Sequence, residues 1–193
     1  MKPFFFSSYF ITDPKEFGDT TQALEKNLKN SFETHTVDMI CFRDKLSQNK
    51  LELAKTTLNI SRKYKIKKVL INGDINLAVN LGFDGVHLTS TQFEDIPKAK
   101  QHNLFVLISC HSEDEIKKAK KLGVDGVTYS PIFYKENKGE PKGIENLKKV
   151  VQIYQDENFS IIALGGIVSK KEVDMVRSTN SRGFASIRYF ISV

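Results

Sequence analysis

Leu81-Gly82-Phe83-Asp84-Gly85-Val86 and Leu122-Gly123-Val124-Asp125-Gly126-Val127 are two copies of one junction. In each, a run with helical spacing stops at glycine, the residue that most readily takes the left-handed turn closing a helix. Asp-Gly then opens a short apolar run that reads as a strand. Such chemistry is common to αβ loops, so the echo speaks to fold rather than function.

Outward from these junctions the alternation continues in both directions. Residues 4–11, 37–42, 68–71, 85–88, 104–109, 126–129, 159–164 and 183–187 are short and rich in apolar, often β-branched residues, as strands are. The first ends at Thr12-Asp13-Pro14, a turn signal. Between the strands, residues 20–32, 50–64, 75–81, 93–101, 113–122, 144–154 and 170–177 carry helical spacing. Pro97 interrupts the fourth of these. Helix 113–122 opens with acidic residues, which suits its dipole. Eight strands with seven helical crossovers fit one closed parallel sheet. The expectation is an α/β chain, a single (β/α)8 TIM barrel, with residues 1–193 as one domain. A doubly wound open sheet is the rival fold, but no glycine-rich dinucleotide fingerprint follows the first strand.

Composition fits that reading. The chain has 193 residues, 40% hydrophobic and 27% charged, as globular proteins are. A full barrel usually takes about 250 residues, so the rim loops should be short. The net charge is +6, but lysines such as Lys117, Lys118, Lys120 and Lys121 fall on a helix whose solvated face explains them. No nucleic-acid-binding motif appears, so no nucleic-acid partner is expected. Residues 1–11 lack the cleavage site of a secretory leader, and no apolar run approaches a membrane span. Cys41 and Cys110 have no metal-type spacing and read as free thiols. A cytoplasmic location is expected, without a membrane partner. A homo-oligomer is compatible with the sequence.

A barrel of this kind builds its site at the carboxyl ends of its strands. Those ends read Thr12-Asp13, Arg43-Asp44-Lys45, Asn72-Gly73, residues 87–92, Ser109-Cys110-His111, Ser130-Pro131, Gly165-Gly166 and residues 186–188. The set is polar, basic and glycine-rich, which suits an anion. Gly165-Gly166 follows the seventh strand and precedes a helix, where backbone N–H groups can approach a phosphate. A tight turn is the plain alternative. Arg188 could add a bidentate contact to the same phosphate, or form a rim ion pair instead. Arg43 and Lys45 alternate with Cys41, so all three could face the barrel mouth. Lys138 lies in a long loop after the sixth strand, of the kind that often closes over a site. His111 is the better acid/base candidate, because His87 lies within an apolar strand and reads as a core histidine. Cys110 reads as an inert buried thiol.

Taken in order, these rim segments resemble the thiamine phosphate synthase/TenI family over nearly the whole chain. Asp84-Gly85-Val86-His87-Leu88 and Ser109-x-His111 match its motifs, and Ala163-Leu164-Gly165-Gly166-Ile167 is similar to its Ala-Ile-Gly-Gly-Ile. Residues 9–13, 40–45, 70–73 and 130–133 resemble the remaining motifs. The resemblance implies a function in thiamine biosynthesis and a phosphorylated small-molecule partner. Synthases of the family join a pyrimidine methyl diphosphate to a thiazole phosphate and release diphosphate. Arg43, Lys45, Asn72, Ser109 and Lys138 match positions that hold the diphosphate, and Gly165 and Gly166 match the thiazole phosphate cradle. Two magnesium-binding aspartates of the synthases fall on Gly73 and Gln92 here, so Mg2+ is expected only if synthase activity is retained. The expectation is therefore a TenI-like protein that binds a thiazole phosphate or similar ester. An active synthase and a non-catalytic phosphometabolite-binding or regulatory barrel are the alternatives. TenI-type isomerases carry a catalytic histidine that falls near Ser130, which leaves His111 as the substitute proton shuttle.

Overall fold

The structure is a computed structural model and describes residues 6–134, 136 and 139–191. β1 (Ser7–Ile11) passes through one helical turn, α1 (Pro14–Phe17), into α2 (Thr21–Thr34). Then come β2 (Met39–Phe42), α3 (Lys50–Lys63), β3 (Lys68–Asn72), α4 (Ile75–Leu81) and β4 (Gly85–Leu88). A 3-10 turn at Phe93–Asp95 leads into α5 (Ile96–Gln101), followed by β5 (Phe105–Cys110), α6 (Glu113–Lys121) and β6 (Gly126–Tyr129). The chain continues through α7 (Gly143–Tyr154), β7 (Ser160–Leu164), α8 (Lys170–Arg177), β8 (Gly183–Ser186) and a 3-10 turn at Arg188–Phe190. Each strand pairs in parallel with the next, and β8 pairs with β1. The fold is a closed (β/α)8 barrel, as expected.

Two apolar cores follow from strand alternation. Successive strand residues point to opposite faces. Tyr9, Ile11, Met39, Cys41, Leu70, Leu107, Ile162 and Ala185 form one buried cluster, the filling of the barrel. Their strand neighbours, including Phe10, Ile40, Val69, Ile71, Val106, Ile108, Val127 and Ile161, belong to a second cluster with Leu28, Leu53, Ile96, Ile116 and Val150 of the helices. Among the described residues no helix is long and apolar enough to cross a membrane.

The amino ends of the strands are tied by three aspartates. Asp38 Oδ2 accepts from Ser8 N at 3.0 Å, Asp84 Oδ2 from Val69 N at 2.7 Å and Asp125 Oδ2 from Val106 N at 2.8 Å. Each holds the N–H of the second residue of the preceding strand. Each also has a cation at hand: Lys67 for Asp38, Arg62 for Asp84 and Lys100 for Asp125. The Asp-Gly echo is thus a barrel-closing device. A Cβ on Gly85 would lie 2.0 Å from the Phe105 carbonyl oxygen, and one on Gly126 would lie 2.5 Å from that of Ser160. Only glycine lets the adjacent strand begin so close.

Candidate functional site

The inward rows of the barrel, continued past the carboxyl ends of the strands, become the wall of a cavity. Tyr9 and Ile11 lead to Asp13, Cys41 to Arg43 and Lys45, and Leu70 to Asn72. His87 leads to Thr89, Leu107 to Ser109 and His111, Thr128 to Ser130, Ile162 to Leu164, and Ala185 to Ile187. Every step is two residues, the period of a strand. The cavity holds about 770 Å3, enough for a small phosphorylated molecule.

Its positive charge is carried by Arg43, Lys45 and Lys142, and the carboxylates of Asp13 and Glu140 also line it. Arg43 is anchored at both ends. Its backbone N–H donates to Thr12 Oγ1 at 2.8 Å, and its Nη1 donates to Asp13 Oδ2 at 2.6 Å. That ion pair lies half-buried at the mouth and keeps the guanidinium over the cavity. Asn72 turns its amide back, Nδ2 donating to the His87 carbonyl at 2.8 Å.

His87 floors the cavity and is only 3% exposed. Nδ1 meets the Tyr9 hydroxyl at 3.0 Å, and Nε2 meets Ser109 Oγ and Thr128 Oγ1, both at 3.1 Å. It is a satisfied core histidine that also touches the site. Burial, reinforced by the nearby Arg43 charge, lowers its pKa to about 4, so the ring is neutral at pH 7. Burial likewise pushes the Cys41 thiol up to about 12 and the Cys110 thiol higher still, which keeps both as unreactive thiols.

His111 lines the cavity from an exposed position after β5. Its Nδ1 lies 3.0 Å from the Ser130 carbonyl oxygen and 3.3 Å from Ser130 Oγ, which fixes the ring on the residue that follows β6. Gly165 also lines the cavity. The Gly165-Gly166 turn is clasped by the root of the loop after β6, with Ile132 N donating to Leu164 O and Phe133 N to Gly165 O, each at 3.0 Å. Both glycines have positive φ, and a Cβ on Gly166 would lie 2.8 Å from the Tyr134 carbonyl oxygen. α8 starts further on, behind a capping box of Ser169 and Glu172.

The remaining expected residues lie elsewhere. Arg188 is exposed in the 3-10 turn after β8, one residue out of phase with the inward row, so Ile187 lines the cavity in its stead. Gly166 stands behind Gly165, packed on the Phe133–Tyr134 backbone. Lys138 lies outside the described residues. Lys142 and Glu140, on the return arm of that same loop, reach the cavity without having been singled out from sequence. The signal for Lys142 was its place just ahead of a helix whose preceding strand points at the rim. Its Nζ also lies 5.3 Å from the centre of the Tyr129 ring.

The place where the resemblance puts magnesium does not fit that ion. Gly73 offers a carbonyl and Gln92 a carboxamide, while magnesium sites are usually anchored by a carboxylate or two. The nearest carboxylates are committed. Asp74 caps Leu77 N and pairs with Lys50, and Asp95 accepts from Gln92. Among the described residues no three His, Cys, Asp or Glu side chains group as a metal site.

Comparison with known proteins places the chain in a family. The family model described as "Thiamine monophosphate synthase" matches residues 8–190. The chain is 34% identical over 187 residues to the "Putative thiamine-phosphate synthase 2" of Aquifex aeolicus, across 95% of this chain and 96% of the relative. With "Thiamine-phosphate synthase 1" of the same organism it is 27% identical, across 93% of this chain and 87% of the relative. Among solved structures, a thiamine phosphate pyrophosphorylase from Pyrococcus furiosus has a TM-score of 0.76 at 24% identity, across 94% of this chain and 85% of its own, a likeness of fold.

Proposed function

Because this chain belongs to the thiamine phosphate synthase/TenI family, we propose that it is a thiamine phosphate synthase, joining a pyrimidine methyl diphosphate to a thiazole phosphate in the rim cavity and releasing diphosphate. One observation carries the reading: Arg43, Lys45, Asn72, Ser109 and Gly165, from four different strand ends, meet in one cavity. In this reading Arg43, Lys45 and Ser109 hold the diphosphate and stabilise the charge that grows on it as it leaves. Lys142 adds a third cation, and Lys138 belongs to the same loop. The N–H groups of the Gly165-Gly166 turn take the thiazole phosphate. The named relatives favour this reading over the TenI-like one expected from the missing aspartates.

The test is direct. Purified protein is given both substrates and thiamine phosphate is measured. We expect product, and a drop in kcat/KM of about 100-fold in Arg43→Ala, the scale of a lost charge-assisted contact to a leaving group. Absence of product above background from the folded wild type sinks the proposal.

A second reading has its own observation. His111 lines the cavity with its Nδ1 held on Ser130, an imidazole placed to move a proton on a bound phosphate ester. It predicts tautomerisation of a thiazole phosphate carboxylate that His111→Ala loses. Equal rates in wild type and variant would remove it.

A further inference from the structure

The rim between β3 and β4 is bolted by a carboxamide, and from it we infer that the anion site of this chain works without a divalent cation. Gln92 uses every part of its side chain. Nε2 donates to the Gly73 carbonyl at 2.9 Å and to Asp95 Oδ2 at 3.0 Å. Oε1 accepts from Thr89 N at 3.1 Å and from Thr89 Oγ1 at 3.0 Å. One neutral side chain thereby ties the end of β3 to the loop after β4. A cation bridging two carboxylates would link the same two segments.

The exchange is coupled in space. Gly73 has φ +70°, and a Cβ built there would lie 3.0 Å from Gln92 Oε1. A carboxylate at 73 and the carboxamide of 92 would therefore compete for one volume. The surrounding acids have other partners. Asp74 serves Leu77 N at 3.0 Å and Lys50 Nζ at 3.1 Å. Asp13, at the cavity mouth, serves Arg43 Nη1 and Lys15 N. Glu140 lines the cavity from the exposed loop, a single carboxylate. A hard dication finds poor anchorage here. Arg43, Lys45 and Lys142 meet the anion's charge in its place.

The inference rests on the rim cavity being the anion site, and the experiment keeps the two ideas apart. Inorganic diphosphate is titrated calorimetrically into the full chain, once in EDTA and once in excess MgCl2. We expect binding in EDTA at least as tight as in magnesium, since magnesium-bound diphosphate presents less charge to the protein cations. Arg43→Ala should weaken the EDTA binding tenfold or more. Affinity tenfold or more tighter in magnesium overturns metal independence and leaves the cavity as the anion site. Silence in both titrations overturns the anion reading and this inference with it. An unchanged affinity in Arg43→Ala puts the diphosphate elsewhere and has the same effect.

Discussion

His87 marks the level at which barrel filling becomes cavity floor. Burial holds the Tyr9 phenol protonated well above its ordinary range, and its hydroxyl meets Nδ1 while the Ser109 and Thr128 hydroxyls meet Nε2, so both ring nitrogens have a partner in the neutral state. The neutral ring has a measurable consequence. Its folded pKa of about 4 lies below the ordinary 6.5, so between these values the unfolded chain binds more protons. Stability from this group is fully present above pH 6.5 and is lost as pH falls toward 4. The loss between pH 7 and pH 5 should be about 2 kcal/mol. Urea unfolding of wild type and His87→Gln at both pH values checks this. The variant is less stable at pH 7, but the gap closes by that amount at pH 5, and a gap independent of pH would refute the account. Much of the site was legible at this scale, because a period of two carries Cys41 to Arg43 and Lys45, and Leu107 to Ser109 and His111. Arg188 shows the limit. A one-residue offset at a strand end cannot be read when the last strand residue is uncertain. Position in an apolar strand marks His87 as buried and bonded, yet does not reveal that it also floors the cavity.

Elements begin and end where backbone groups find partners, and this explains which boundaries the sequence disclosed. β4 and β6 match their expected limits, since Asp-Gly fixes the start of each. β2 begins at Met39 rather than at residue 37, because Asp38 is a clamp on β1 rather than a ladder residue. Pro14 signals more than a turn: at the first helical position, behind the Asp13 cap, it opens the single turn of α1. Pro97 does not break residues 93–101. It lies in the first turn of α5, where its missing N–H costs little, and the 3-10 turn ahead of it supplies the bend. The clamps themselves can be tested. Asp84 accepts Val69 N and both terminal nitrogens of Arg62, at 2.9 and 2.7 Å. Asp84→Ala should cost roughly 1–3 kcal/mol in urea unfolding, the scale of a half-buried N–H left without its acceptor. It should leave diphosphate affinity unchanged, because the residue stands at the amino end of the barrel. Weaker binding with unaltered stability would contradict the division of labour between the two ends.

At the scale of the whole molecule, closure is what joins those two ends. Strand ladders run unbroken from β1 to β8 and back to β1, so no strand can leave without opening the ring. Binding at the rim should then be felt by the entire barrel as one unfolding unit. A ligand at one hundred times its Kd, bound only by the folded state, adds about 2.7 kcal/mol. For a chain of this size each kcal/mol moves Tm by roughly 2–4 °C, so saturating diphosphate should raise Tm by about 5–10 °C in a single transition. Asp84→Ala should start from a lower Tm and keep the full ligand shift, since its cavity is intact. Arg43→Ala should start near the wild-type Tm, because its half-buried ion pair with Asp13 contributes at most about 1 kcal/mol, and should lose most of the shift. Differential scanning calorimetry of the three proteins, with and without diphosphate, separates stability from binding. Two ligand-dependent transitions in the wild type, or a full shift in Arg43→Ala, would mean that the rim cations do not report to the barrel in this way.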